Sequence, residues 1–206
     1  MCNHGKVLFK YGTMNSGKSM HLLATAYNFQ EHNIPFLVLK SEIDDRDGEN
    51  VIHSRALGDR ECVSIGKEAN IYELVATYTQ ISGEKLKWIL VDEAQFLSEE
   101  QVEELVATAD NMGINIICYG LRTDFKTRLF PASKRLFELA DSVEEIKSSC
   151  YCGSKTIVNA RVNSERQIVT EGAQVEVGGD DRYVSLCRRC YFTKTGHKLY
   201  KKGEED

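Results

Sequence analysis

Near the start of the chain, the stretch GTMNSGKS combines glycines, a lysine and hydroxyl side chains in the spacing Gly12-x4-Gly17-Lys18-Ser19. Glycines let a backbone turn tightly enough for several N–H groups to point at one anion, and a following helix adds partial positive charge at its N-terminus. In this pattern the lysine reaches the β- and γ-phosphates of a nucleotide, and the serine hydroxyl ligates Mg²⁺. We therefore predict nucleotide binding by Gly12, Thr13, Met14, Asn15, Ser16, Gly17, Lys18 and Ser19.

A second set of reactive side chains follows the apolar run WILV, at Asp92 and Glu93. Phosphoryl transfer needs a further acid for Mg²⁺ at the end of a neighbouring strand, and Asp92 fits that position. A simple turn-forming carboxylate is the alternative. Glu93 can accept a proton from an attacking hydroxyl or, as in many ATPases, polarise water. The pattern predicts phosphoryl transfer without naming the acceptor, with nucleotide contacts at Asp92, Glu93, Ala94 and Gln95.

Four of the seven cysteines form two close pairs, Cys150-x-Cys152 and Cys187-x2-Cys190. Two such pairs on either side of a strand-rich segment are typical of a structural zinc ribbon. Four thiolates complete a tetrahedron and leave no open position for catalysis. Metal binding would stabilise a segment that is too small to bury a core of its own. Free or redox-active thiols are the alternative.

The elements that must position these residues alternate between strand and helix from residue 6 to about residue 146. The predicted strands are continuous apolar runs, typical of buried parallel strands, at 6–11, 35–40, 86–96 and 114–120. The predicted helices cover 18–31, 69–80, 98–113 and 132–141. This alternation predicts an α/β fold of the P-loop NTPase type, with a mostly parallel sheet flanked by helices. The polar segment 41–61 is predicted to be a long loop.

The pattern changes after Cys150, where the short strand-like pieces TIVNARV, QIVTEG and RYVSL alternate with turns. We place a boundary near residue 147. The predicted parts are an ATP-binding α/β domain at 1–146, a small zinc-ribbon-like domain at 147–195 and a charged tail at 196–206. Because no Pro/Ser-rich linker separates the first two, they are expected to pack together.

The composition narrows the possible functions. The chain has 206 residues and a net charge of −5, which argues against a strongly cationic nucleic-acid surface. No apolar run approaches the about 18 residues needed to span a bilayer, and the polar N-terminus does not read as a signal peptide. We expect a cytoplasmic protein with no membrane or nucleic-acid partner.

Together, these residues resemble the cytosolic (type II) thymidine kinase family over nearly the whole chain. The resemblance rests on GTMNSGKS, VDEAQF, CYGLRTDF, VEVGGDDRYVSLC and the four paired cysteines. Two departures are the C-x-C spacing of the first pair and TMNS where PMFS is commoner, and neither alters a residue that the chemistry requires. The resemblance implies ATP·Mg²⁺ as donor and the 5′-hydroxyl of thymidine or deoxyuridine as acceptor. It also implies a homotetramer and feedback inhibition by dTTP.

The resemblance also implies roles for individual residues. Glu93 matches the general base, Phe125 matches an aromatic residue on the thymine ring, and Met14 matches a residue near its methyl group. Residues 174–183 match a loop that encloses the nucleoside like a lasso. The implied contacts to base and sugar are Met14, Leu121, Phe125, Val175, Val177, Gly178 and Tyr183. Packing alone is the alternative for Phe125, and a strand surface is the alternative for Tyr183.

Two other classes of protein stay open at this point. In a nucleic-acid-stimulated ATPase the zinc ribbon would bind DNA, but the acidic composition and the absence of a basic stripe argue against it. A nucleotide-binding regulator without turnover would have no need of Glu93 beside Asp92. The roles of Asp44, Arg46 and Arg55 in the polar segment also stay open, between ordering that segment on ATP and no direct role.

Overall fold

The structure is a computed structural model that describes residues 4–43, 50–54, 57–172, 174 and 182–196. Its strands are β1 (Val7–Gly12), β2 (Phe36–Ser41), β3 (Val51–Ser54), β4 (Gly58–Glu61), β5 (Val63–Ile65), β6 (Trp88–Asp92), β7 (Asn115–Leu121), β8 (Ser142–Ile146), β9 (Val158–Val162), β10 (Ile168–Val169) and β11 (Tyr183–Leu186). Its helices are α1 (Lys18–Glu31), α2 (Ile71–Ser82), α3 (Glu99–Met112), α4 (Pro131–Leu139) and α5 (Arg188–Thr195), and Ala94–Phe96 form a single 3₁₀ turn.

Six strands form the main sheet in the order β5-β2-β6-β7-β1-β8, and every neighbouring pair in it is parallel. Parallel neighbours need long crossover connections, which helices α1 to α4 supply. The predicted α/β fold with a parallel sheet is therefore confirmed. No helix in the described part of the chain is long and apolar enough to cross a bilayer.

The main sheet has a hydrophobic core on each face. One core packs α2, α3 and α4 against strand residues such as Phe9 and Ile116. The other packs α1 against alternate residues of the same strands, such as Leu90 and Tyr119. Successive side chains of a strand point to opposite faces, so continuous apolar runs supply both cores. Because the strands are parallel, their carboxyl ends lie at one edge of the sheet, the usual place for a ligand site.

The predicted long loop at 41–61 contains a hairpin within its described residues, in which β3 pairs antiparallel with β4. Ile52 in β3 is buried in the same core as α1. This contact explains why the hairpin forms. Polar contacts, such as that of Arg60 in β4 with Gln30 in α1, also hold the hairpin. Such a segment has no strand-like apolar pattern, and the prediction of a loop was wrong here for that reason.

The segment after α4, which is not among the predicted strands, is the edge strand β8. It pairs with β1 alone, and its Glu144 forms an ion pair with Lys10 at 3.3 Å. Charges on an edge strand discourage pairing with another chain. They also replace the apolar run that identifies a buried strand.

A second sheet, which we call the ribbon sheet, is antiparallel and has the order β10-β9-β11. One face of β9 packs in a small core with α5 and the paired cysteines. The other face carries Asn159 and Arg161, which pair with Ser185 and Tyr183 of β11. The ribbon sheet therefore has an apolar face toward the cysteines and a polar face away from them. The domain boundary near residue 147 stays a prediction.

Candidate active site

The phosphate loop, residues 12–19, joins the end of β1 to the start of α1. Gly12 leaves no room for a side chain, because a Cβ there would lie 2.3 Å from Ser16 Oγ and 2.8 Å from Ile146 O. Gly17, at the N-cap of α1, has a φ of 86°, in the left-handed region that favours glycine. It provides no side chain to cap α1, so the partial positive charge of the helix N-terminus faces the loop.

Lys18 and Ser19 in the first turn of α1 connect the phosphate loop to β6. Lys18 is buried, and its Nζ donates to Thr13 O at 3.1 Å. Ser19 Oγ donates to Asp92 Oδ2 at 3.2 Å. The structure thus brings the two predicted Mg²⁺ ligands, Ser19 and Asp92, into contact.

Asp92 is 2 % exposed, and its environment disfavours a bare negative charge. Burial, followed by the neighbouring Glu93 carboxylate, raises the pKa of Asp92. Lys18, the Glu93 N–H group and the Ser19 hydroxyl oppose this shift. A divalent cation at this carboxylate would favour its ionised form, so the position suits a metal ligand.

Glu93 has a φ of 48°, an uncommon left-handed conformation for a residue with a side chain. Glu93 is 7 % exposed, and its carboxylate accepts a hydrogen bond from Gln95 Nε2. Gln95 Oε1 accepts in turn from Leu121 N at 2.8 Å. Gly120 makes this possible, because a Cβ there would lie 2.9 Å from Gln95 Oε1. Gln95 therefore holds the Glu93 carboxylate in a fixed place relative to β7.

The other predicted nucleotide contacts, Ala94 and Ser16 among them, differ in whether their side chains are available to a ligand. Ala94 is fully buried in a hydrophobic core, so its side chain faces away from the loop. Ser16 Oγ is buried without a hydrogen-bond partner, and it is the only such side-chain atom in the described part of the chain. Buried hydroxyls are nearly always paired, and a phosphate oxygen would supply the missing partner. The site therefore offers a phosphate the backbone N–H groups of the loop, Lys18 and the Ser16 hydroxyl. It offers Mg²⁺ the Ser19 hydroxyl and the Asp92 carboxylate.

Phe125, in the loop after β7, packs against the polar face of the ribbon sheet. The Cζ atom of Arg161 lies 3.9 Å from the centroid of the Phe125 ring, so the guanidinium stacks on one face of that ring. Arg161 Nη2 also donates to Glu171 O at 2.6 Å. Tyr183 is the partner of Arg161 across β9 and β11. Through Arg161, the structure connects two of the predicted nucleoside-binding residues, Phe125 and Tyr183.

The other predicted nucleoside contacts lie in different places. Met14 is half-buried, and its N–H group donates to Asn159 Oδ1 at 2.7 Å. Leu121 is buried at the carboxyl end of β7. The predicted contacts Val175, Val177 and Gly178 lie outside the described residues, as do Asp44, Arg46 and Arg55.

Sequence reasoning missed Asn159 and Arg161. Both lie in VNARV, a strand in which every residue is buried. A buried arginine or asparagine needs hydrogen-bond partners: Asn159 accepts from Met14 N in the phosphate loop, and Arg161 donates to Glu171 O after β10. The signal in the sequence was the alternation of these polar residues with Val158, Ala160 and Val162, which marks a strand with one polar face.

The four paired cysteines lie together beneath the ribbon sheet. One ligand atom from each falls within 4.8 Å of all the others, and Cys152 Sγ lies 3.6 Å from Cys187 Sγ. Tetrahedral zinc with Zn–S bonds of about 2.3 Å places its sulfurs about 3.8 Å apart. The cluster therefore fits a structural zinc ion.

A comparison with known protein families matches residues 5–191 to the family described as Thymidine kinase. The chain belongs to the thymidine kinase family. The match confirms the resemblance seen in the sequence, and it covers both the phosphate loop and the paired cysteines.

Individual relatives agree with the family match. A thymidine kinase of Haemophilus influenzae is 42% identical over 93% of this chain and 98% of its own length. Thymidine kinases of Pasteurella multocida and Agrobacterium fabrum are 43% and 44% identical over 92% and 89% of this chain, and over 97% and 94% of their own lengths. The likeness to these thymidine kinases therefore spans the parallel sheet and the ribbon sheet together.

The cysteine cluster predicts that this member of the thymidine kinase family binds zinc. We expect the purified protein to hold about one zinc ion per chain by elemental analysis. Cys190→Ser should lose that zinc and unfold at a lower temperature, because the small core of the ribbon sheet depends on the metal. Cys62→Ala, at a buried cysteine outside the cluster, should keep its zinc. Full zinc occupancy in Cys190→Ser would show that the cluster is not the binding site.

Proposed function

We propose that the chain is a thymidine kinase that transfers the γ-phosphoryl group of ATP to the 5′-hydroxyl of thymidine, and also of deoxyuridine. The observation that carries the proposal is the buried cluster of Lys18, the Ser19–Asp92 pair and Glu93 at the carboxyl edge of the main sheet. Lys18, Ser19 and Asp92 have the side chains needed to bind the donor phosphates and Mg²⁺. Glu93 has the carboxylate needed to take a proton from an acceptor hydroxyl. The relatives named above are thymidine kinases, which supports thymidine as that acceptor.

The donor phosphates would lie against the N–H groups of the phosphate loop and Ser16 Oγ. Lys18 would donate to the β- and γ-phosphates, as a lysine at this place in the loop does in other phosphate-loop proteins. Ser19 and Asp92 would hold Mg²⁺, which would supply positive charge to offset the negative charge that develops during transfer. The same cation would keep Asp92 ionised despite its burial.

Glu93 would act on the acceptor. Its carboxylate takes the proton of the 5′-hydroxyl while that oxygen bonds to the γ-phosphorus and the bond from the γ-phosphorus to the β–γ bridging oxygen breaks. The products are the nucleoside 5′-monophosphate and ADP, with the proton on Glu93. Gln95 holds one carboxylate oxygen and is itself held by β7, so Glu93 needs little reorientation before it reacts.

The nucleoside would lie between the main sheet and the ribbon sheet. Arg161 stacks on the Phe125 ring, and Phe125 is 1 % exposed, so thymine would pack on this ring only after a neighbouring side chain moves aside. Leu121, Met14 and Tyr183 would complete the apolar wall of the pocket. Backbone groups of Val175, Val177 and Gly178 would bind base and sugar. A site that pairs with the thymine edge would leave buried groups unpaired with cytosine, which gives strong discrimination.

Two further properties of the proposal rest on the family resemblance. The active protein would be a homotetramer, and dTTP would inhibit it as the end product. The zinc would have a purely structural role, because four cysteine ligands leave it no open coordination position.

The acceptor can be tested with purified protein, ATP and Mg²⁺ on a panel of thymidine, deoxyuridine, deoxycytidine, deoxyadenosine and single-stranded DNA. We expect thymidine and deoxyuridine to stimulate ADP release and to appear as 5′-monophosphates. Deoxycytidine and deoxyadenosine should have little effect, because their base edges do not match the predicted backbone contacts. Stimulation by DNA alone would mean that the protein is a nucleic-acid-dependent ATPase and that the proposal is wrong.

Glu93→Gln tests the proton acceptor. This change keeps the size and polarity of the side chain but removes its basicity. We expect kcat for thymidine to fall about a hundredfold to ten-thousandfold, with nearly unchanged binding of ADP and thymidine. Glu165→Gln, in an exposed turn, serves as the control and should keep full activity. If Glu93→Gln retains most of its kcat, another group takes the proton.

Phe125→Ala tests the stacking surface for the base. Loss of an aromatic face costs about 1–3 kcal/mol per stacked base, so KM for thymidine should rise about tenfold to a hundredfold while KM for ATP changes little. Phe130→Leu alters a buried aromatic residue a few positions further along and should leave both constants near their original values. Equal increases in both KM values for Phe125→Ala would indicate a packing role alone.

A further inference from the structure

The polar face of the ribbon sheet holds one residue of the phosphate loop by both of its backbone groups. Asn159 Oδ1 accepts from Met14 N at 2.7 Å, and Ser185 Oγ donates to Met14 O at 2.7 Å. Asn159 and Ser185 are direct partners across β9 and β11. Paired residues on an antiparallel sheet point to the same side, so the two side chains act from one place. We call Asn159 and Ser185 the Met14 clasp.

Neighbouring contacts strengthen this connection. The hydroxyls of Thr13 and Thr156 lie 2.9 Å apart in a buried hydrogen bond. Asn159 Nδ2 also donates to Thr123 O at 3.1 Å. Asn159 is 3 % exposed, so both ends of its amide are used in a site that excludes water. The clasp thus joins the phosphate loop, the segment after β7 and the ribbon sheet.

The clasp acts where the phosphate loop has no regular structure to hold it. Residues 13–17 lie between the end of β1 and the start of α1, and Asn15 adopts a left-handed φ of 57°. Each loop residue that is not held must be ordered when a ligand binds, which weakens binding. Because Met14 N already donates to Asn159, the clasp also determines which N–H groups of the loop turn toward a phosphate.

We propose that Asn159 and Ser185 are positioning residues for the nucleotide donor, so that the zinc-bearing ribbon sheet is part of the ATP site. They act through Met14 and need not touch the nucleotide. The inference rests on the proposed function only in taking the loop as the nucleotide site. It assigns the ribbon sheet a role in donor binding in addition to its predicted role around the nucleoside.

The test measures ADP·Mg²⁺ binding by isothermal titration calorimetry on the zinc-loaded full chain. Asn159→Ala and Ser185→Ala are made singly and together, and Ser185→Thr keeps the hydroxyl. Ser164→Ala, at an exposed position in the turn between β9 and β10, is the matched control. Zinc content, the unfolding temperature and KM for thymidine are recorded for each protein.

Loss of one buried hydrogen bond to the loop should weaken ADP binding about five- to tenfold in each single variant. The double variant should lose less than the product of the two effects, because both side chains hold the same residue. Ser185→Thr and the Ser164→Ala control should bind ADP like the original chain. Zinc content should stay unchanged, and affinity for ADP should fall more than affinity for thymidine.

Normal ADP binding in both single variants would overturn the inference. So would losses that simply follow a lower unfolding temperature or lost zinc, since the residues would then be structural only. A chain that binds ADP but phosphorylates no nucleoside contradicts the proposed function, while its ADP titrations still decide the role of the clasp. A chain that binds no ADP overturns both.

Discussion

Two carboxylates and a lysine are buried side by side at the carboxyl edge of the main sheet, and the surrounding structure has to accommodate them. Removing charged groups from water costs several kcal/mol per ion unless partners replace the lost hydration. For Asp92 those partners are the Ser19 hydroxyl, the Glu93 N–H group and the nearby Lys18. For Glu93, the side-chain amide of Gln95 is one such partner. The cluster is thus held in place before any ligand arrives, which is the condition for efficient transfer chemistry.

The same constraint explains details of the sheet that packing alone would not require. Gln95 can reach both Glu93 and the backbone of β7 only because position 120 has no side chain. Glu93 adopts a left-handed backbone conformation, which is unfavourable for a residue with a Cβ and which persists where surrounding contacts fix it. Local strain at Glu93 and the missing side chain at Gly120 are therefore two parts of one arrangement that aims a carboxylate away from the hydrophobic core.

Features encoded by local chemistry could be predicted from the sequence, and features encoded by distant contacts could not. The phosphate loop was evident from its glycines, and α3 was predicted over 98–113, where Ser98 and Gln101 form a capping box and Gly113 is the C-cap in the structure. The hairpin of β3 and β4 and the edge strand β8 carry no continuous apolar pattern, because each depends on contacts with elements far away in sequence. The partners of Arg161 likewise become apparent only when Phe125 and Glu171 are brought beside it.

The position of Arg161 indicates how the two sheets would cooperate around the proposed nucleoside site. Val169 at the end of β10 and Tyr183 at the start of β11 both pair with Arg161, one on each side of β9. Arg161 therefore pairs with the residues on either side of segment 170–182, which contains most of the positions that the family resemblance assigns to nucleoside binding. Arg161 stacks on Phe125, while two positions earlier Asn159 holds Met14. Since side chains at i and i+2 share a face of a strand, one face of β9 contacts both the phosphate loop and the proposed base-stacking ring. The paired cysteines pack behind the opposite face, so β9 would fix the distance between the proposed donor and acceptor sites.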